Sequence, residues 1–278
     1  MIVDLVDGTY ELYRHFYGMR RGTDGKDVPF GATIGVLNTV LKMFETGSTH
    51  IGVATDHVIE SFRNDMWPGY KTGEGIDPAL WSQLHPLETA LEAMGVKVWP
   101  MVELEADDAL ASAAHLASLD ERVETVKIWT PDKDLGQCVS GDRVVQVDRK
   151  SGVIRNENGV FEKFGVPPQL VPDYLALVGD SADGYPGIPG IGAKTAARLL
   201  MRHGSIETFP ADVLGAHLTD ALLFKQLATL RTDAAVVGNV DELRWRGPTD
   251  AFTDLMNQLG DNRIIERSQR LYAAPRSG

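Results

Sequence analysis

The chain has 278 residues, 43% of them hydrophobic, with a mean hydropathy of -0.14 and a net charge of -12 at pH 7. That length allows one large α/β domain, or a core with a smaller appended module. No apolar run reaches the roughly 18 residues of a membrane span, and the single cysteine, Cys138, excludes an internal disulfide and a cysteine zinc cluster.

The opening "MIVDLVDG" reads as a strand ending in a turn and lacks the basic and apolar regions of a signal peptide, so the expected location is cytoplasmic. Further strands are expected at 50–56 ("HIGVATD"), 96–100 ("VKVWP") and 126–132 ("VKIWTPD"). Helical patterns lie between them, notably "PALWSQLHPLETALEAMG" and "EADDALASAAHLASLD". Strands alternating with helices predict an α/β fold with a mostly parallel, doubly wound sheet. "DRVVQVDRKSGVIRNENGV" adds a strand and a hairpin. From about residue 165 the pattern changes to short helices punctuated by Gly and Pro, which predicts a helical module over 166–278 behind a core at 1–165.

Excess acid argues against a nucleic-acid partner unless the acids are gathered around cations. Their positions therefore matter more than their sum. Three expected strands end in aspartate: Asp7, Asp56 and Asp132, the last followed by Asp134. Ligands of open α/β sheets bind beyond the carboxyl ends of the strands. "EADD" adds Glu105, Asp107 and Asp108 at a helix start, and "GDSAD" adds Asp180 and Asp183. Each motif alone has an ordinary explanation, since acids suit a helix's first turn and aspartates cap turns. Together, several carboxylates converging at one sheet edge would repel, and Mg²⁺ or Mn²⁺ with oxygen ligands would relieve that repulsion. A pair of such ions suits displacement at phosphorus. A phosphatase with an aspartate nucleophile is disfavoured, because that chemistry needs an acid two residues before Asp7, where this chain has Leu5.

The segment "PGIPGIGAKTAARLL" comes within one residue of a nucleotide-binding P-loop, but Ala193 displaces Lys194 and Thr195 by one place. Pro189, Gly190 and Gly192 predict a tight turn before a helix starting near Ala193, and a helix N-terminus is an anion site. Lys194, Arg198 and Arg202 follow at i, i+4 and i+8 on one face, a stripe suited to a row of phosphates. A second candidate lies in "SFRNDMWPGYKTGEG", where Arg63, Trp67, Tyr70 and Lys71 combine cations with stacking surfaces, as single-strand binding requires.

The order "VDG", "D…SFR…YK", "EADD", "TPDKD" and "GDSADGYPGIPGIGAKTA" resembles the 5′ nuclease domain of bacterial DNA polymerase I, phage 5′ exonucleases and, more distantly, flap endonucleases. The likeness runs from about residue 1 to 240. It implies a structure-specific 5′ nuclease acting on DNA flaps and 5′ ends through two divalent cations. By position, Asp7, Asp56, Glu105 and Asp107 match one metal cluster. Asp132, Asp134, Asp180 and Asp183 match the other, with Asp108 adjacent. Arg14 matches a basic residue near the scissile phosphate. Lys71 matches the lysine at the base of an arch, here about 60–82, and Tyr70 a base-stacking surface. The loop at 186–192 and the helix after it match a helix-hairpin-helix-like module, about 175–240, that grips duplex DNA, often with a K⁺ ion. A functional link to DNA polymerase and ligase is implied; no polymerase portion is present, so a free-standing nuclease is expected. A non-catalytic DNA-junction binder and an RNase of related fold stay open. Two departures stand out: Gly184 replaces the family's usual asparagine, and Thr72-Gly73-Glu74-Gly75 replaces a segment that usually holds an arginine.

Overall fold

In a computed structural model, described over residues 1–18, 29–236 and 238–273, the apolar runs become strands buried on both faces. The core elements are β1 (Ile2–Asp7), α1 (Gly8–Gly18), α2 (Gly31–Glu45), β2 (His50–Asp56), α3 (Phe62–Met66), α4 (Pro78–Trp81), α5 (Leu84–Ala93), β3 (Lys97–Met101), α6 (Ala106–Leu119), β4 (Thr125–Trp129), β5 (Val144–Val147) and β6 (Ile154–Arg155). The helical part comprises α7 (Glu157–Phe164), α8 (Val171–Val178), α9 (Ala193–His203), α10 (Ala211–Leu214), α11 (Leu218–Ala228), α12 (Ala251–Leu259) and α13 (Asn262–Ala273).

The sheet has the order β3-β2-β1-β4-β5-β6, parallel throughout except for the antiparallel pair of β5 with β6. Successive side chains of a strand point to opposite faces. Val6, Ile51 and Val53 therefore pack with α2 and α5, while Val3, Leu5 and Ala54 pack with α6. β1 lies between β2 and β4, so the strand order reverses beside it. Its carboxyl end is the crevice where open α/β sheets bind ligands.

Two expected elements shift. The strand at 126–132 stops at Trp129, which leaves Asp132 in the following loop; a short 3-10 helix, Asp134–Cys138, comes next. The long helical pattern from Pro78 divides into α4 and α5. Pro86 has no amide hydrogen to give Ser82, so the first helix cannot run on. Instead the Gln83 side chain accepts from the Ala32 and Thr33 amides, at 3.0 and 3.3 Å, and pins the break to α2.

The C-terminal helices leave the helical module and return to the core. Trp245, Phe252, Met256, Leu259, Ile264 and Ile265 are buried in the cluster formed by β1, β2, α2 and α5. Trp245 stacks on Phe44 with ring centroids 4.5 Å apart and donates to the Met94 carbonyl at 2.7 Å. A separate cluster, including Leu175, Leu200, Phe224 and Leu227, holds α8, α9 and α11 together. None of the helices among the described residues is long and apolar enough to cross a membrane.

Candidate active site

Asp7 and Asp56 end β1 and β2 and are held by hydrogen bonds. Asp7 accepts from the Tyr10 amide at 2.8 Å and from Thr130 Oγ1 at 2.9 Å. Asp56 accepts from the Ala106 amide at the start of α6, at 2.8 Å. This contact brings "EADD" to the ends of the strands. Asp107 is half-buried. Burial first, then the charges of Asp132, Asp7 and Asp56, push its carboxyl well above the usual range. It thus lies electrostatically between the two groups of acids that the sequence distinguishes. Burial and the neighbouring Asp56 and Asp132 push Asp7 up to about 7, against hydrogen bonds that favour its charged form.

The second group gathers around the 3-10 helix after β4 and the turn after α8. Asp134, Asp180 and Asp183 each offer an oxygen within 4.8 Å of the others. Asp134 Oδ1 is buried and has no hydrogen-bond partner. Burial, with the charges of Asp132, Asp183 and Asp180, pushes Asp134 well above the usual carboxylate range. A buried carboxylate with an orphaned oxygen, clustered with two more carboxylates, fits a hard divalent cation, which would supply the missing partner and the missing charge.

Two lysines partly take that place. Lys133 pairs with Asp180. Lys71, 29% exposed, lies 2.7 Å from Glu105 and 3.2 Å from Asp183, joining the two groups. Burial opposes the charge of Glu105, but Lys71 and Arg63 outweigh it and hold the carboxyl below the usual range.

Three site candidates face inward, unlike the exposed positions that their expected roles require. Arg63 is 1% exposed: Nη1 donates to Glu105 at 2.9 Å and to Asp108 at 2.8 Å, and Nη2 donates to Asp108 at 2.8 Å. Such a guanidinium balances buried carboxylates and offers nothing to a DNA backbone. Asp108, fully buried, also accepts from the Arg231 amide at 2.9 Å, so its role is structural. It is one residue from Asp107, which turns it about 100° around α6, onto the Arg63 guanidinium that it shares with Glu105. Tyr70, 4% exposed, donates to Glu105 at 3.3 Å and leaves no ring face for a base.

Arg14 lies apart from the acids, donating to Glu11 at 2.5 Å. It lines a cavity with Tyr10, Tyr13, Tyr17 and Lys150, and Tyr10 also lines a neighbouring cavity with Asp7, Asp132, Lys133 and Lys163. The sequence reading missed Tyr10, Tyr13, Tyr17, Lys150 and Lys163. The spacing of Tyr10, Tyr13, Arg14 and Tyr17, which places them on one face of α1, was the available signal.

With this geometry in hand, the comparisons are decisive. Residues 3–165 match the family 5′-3′ exonuclease, N-terminal resolvase-like domain, and residues 166–251 match 5′-3′ exonuclease, C-terminal SAM fold. The chain belongs to the 5′-3′ exonuclease family. It is 31% identical to the 5′-3′ exonuclease of Aquifex aeolicus, with 88% of this chain and 86% of that protein covered. It is 34% identical to DNA polymerase I of Pseudomonas aeruginosa over 86% of this chain, but spans only 28% of that longer protein. A flap endonuclease of bacteriophage T5, crystallised with DNA and metal ions, shares the fold with a TM-score of 0.62 at 16% identity, each chain covered to 98%.

The 5′-3′ exonuclease fold also explains the Gly184 departure. Gly184 has φ +83°, and a Cβ there would collide with the carbonyl oxygen of Gly69. Asparagine tolerates positive φ but cannot shed its Cβ. In this chain the segment before Lys71 packs directly on the turn that carries Asp183, and only glycine fits.

On the opposite side, the turn at Gly190 (φ +81°) leads into α9, whose N-terminus has no side-chain cap. Gly192 is extended (φ -92°, ψ 177°) and supplies open space rather than an unusual backbone angle. Lys194, Arg198 and Arg202 are exposed and Thr195 half-buried, while Ala196 and Leu200 are buried. The acids and the cationic face of α9 thus lie on separate elements, joined through α8.

Proposed function

We propose that this chain is a divalent-cation-dependent, structure-specific 5′ nuclease that hydrolyses DNA phosphodiesters, cutting 5′ flaps and degrading from 5′ ends. The observation that carries this reading is the orphaned Oδ1 of buried Asp134 among the oxygens of Asp180 and Asp183, beside Asp7, Asp56, Glu105, Asp107 and Asp132. In this reading Asp134, Asp180 and Asp183, with Asp132, hold one Mg²⁺ or Mn²⁺, and Asp7, Asp56, Glu105 and Asp107 hold the other. Two such ions, when bound, lower the pKa of attacking water and neutralise the leaving oxygen.

The chain's own residues do the positioning. Lys71, tied to Glu105 and Asp183, presents an ammonium beside the acids to orient the scissile phosphate. Arg14, Lys150 and Lys163 line the two neighbouring cavities and contact adjoining phosphates. Tyr13 and Tyr17 supply ring faces there. The α9 stripe and the Gly190 turn grip a duplex backbone without reading bases, with K⁺ at the turn. The same assignment makes 1–165 the catalytic core and links the protein functionally to a DNA polymerase and a ligase, as a cytoplasmic enzyme.

A 5′-labelled flap duplex tests the reading. Cleavage near the flap junction is expected with Mg²⁺ or Mn²⁺ and none with EDTA. Asp134→Ala should cut at least about 10³-fold more slowly, since a charge-stabilising group of this kind contributes several kcal/mol. A gel shift without cutting in any metal would assign the chain to the non-catalytic binders. Preferential cutting of an RNA flap would make it an RNase.

A further inference from the structure

A second cluster of His and Glu side chains lies where α5 packs beside the carboxyl end of β2. His57 follows Asp56 at the end of β2, while His85 and Glu88 are three residues apart and share one face of α5. Ligand atoms of all three lie within 4.8 Å of one another. Glu88 is 5% exposed: Oε1 accepts from Thr55 Oγ1 at 2.6 Å, and Oε2 lies 2.7 Å from His57 Nδ1. Among the described residues no lysine or arginine pairs with Glu88. The His57 and His85 rings stack with centroids 4.2 Å apart, and His85 is exposed. Its Nε2 lies 3.4 Å from the His57 carbonyl, on the His57 side of the cluster.

We propose that His57, His85 and Glu88 form a zinc site separate from the catalytic acids, with water as the fourth ligand. Two imidazoles and one carboxylate are an established ligand set for zinc, whereas Mg²⁺ prefers all-oxygen surroundings. A buried carboxylate needs a cation, and the hydroxyl of Thr55 fixes its orientation as a supporting hydrogen bond does for metal ligands. Closure on one ion needs two small motions. The 2.7 Å contact of His57 with Glu88 opens to about 3.3 Å, the spacing of two ligands around tetrahedral zinc, and the exposed His85 ring turns out of the stack. The bound ion would tie the loop after Asp56 to α5 and so fix the root of the 60–82 segment.

Equilibrium dialysis of the whole metal-stripped protein against Zn²⁺ alone tests this, with Co²⁺ absorption as a second readout. Because both groups of acids are proposed to bind divalent ions, the background is the Asp7→Asn/Asp107→Asn/Asp134→Asn/Asp180→Asn variant. That variant is expected to keep one tight zinc and to give the visible bands of tetrahedral cobalt. Adding His85→Ala, a change at an exposed position, should weaken zinc binding about 100-fold and abolish the bands. Glu88→Gln should do the same, with circular dichroism confirming that the variants fold. Absence of tight zinc from the background variant, or unchanged affinity and bands after His85→Ala, would overturn the site. Neither outcome depends on whether the acids cut DNA.

Discussion

The Lys71 amide donates to the Asp183 carbonyl at 3.0 Å, while the Lys71 ammonium lies 3.2 Å from the Asp183 carboxylate. Main chain and side chain thus couple the segment at 60–82 to the turn bearing the second group of acids. Trp67 reinforces the joint by donating to the Gly184 carbonyl at 3.0 Å and packing edge-on against Phe224.

This joint should be sensitive to Gly184→Ala. Positive φ and a collision with Gly69 are each costly, and together they should destabilise by about 2 kcal/mol or more. The turn should also hold its cation less well. Chemical denaturation measures the first effect; the Mg²⁺ concentration for half-maximal cleavage, expected to rise, measures the second. Trp67→Phe, which keeps the ring and loses the hydrogen bond, should cost only about 1 kcal/mol.

Arg63→Ala leaves Asp108 buried without a cation and Glu105 with Lys71 alone, and should destabilise by about 3–5 kcal/mol. Because Arg63 does not reach the surface, the salt dependence of DNA binding should be unchanged in the folded variant. A reduced slope would restore Arg63 to the DNA interface.

Metal removal should invert the pH dependence of stability. Asp7, whose usual carboxyl value of 3.8 rises to about 7, is protonated in the metal-free fold but ionised in the unfolded chain between about pH 4 and 7. Asp107 and Asp134 are raised in the same direction. The folded state binds more protons in that window, so these groups make stability fall as pH rises through it. Thermal melts in EDTA should therefore drop from pH 5 to pH 8. Saturating Mg²⁺ should remove the drop, because the cation favours the ionised acids. Asp134→Asn should raise the EDTA melt at pH 8 while abolishing cleavage.

Lys194→Ala and Arg198→Ala together should lower the slope of log affinity against log salt by about 2, one phosphate contact each. The effect should be the same for unrelated DNA sequences. An unchanged slope would make the stripe a solvated helix face.

The order of strands and helices, the acids at the strand ends and the basic face of α9 were legible in the sequence, because each is a local pattern: apolar runs, turn residues, or a helical period. The same local reading gave no sign that Arg63, Tyr70 and Asp108 are buried. "SFR…YK" looks like an exposed basic and aromatic loop until α3 packs beside α6, where the carboxylates of Glu105 and Asp108 require an inward guanidinium. Likewise Gly184 departs from its relatives for a reason visible only where Gly69 meets it in space. Local chemistry in the sequence determined which residues could bind cations and phosphates. The tertiary structure decided which of them are spent on one another, because charges buried together must be balanced before any can serve a ligand.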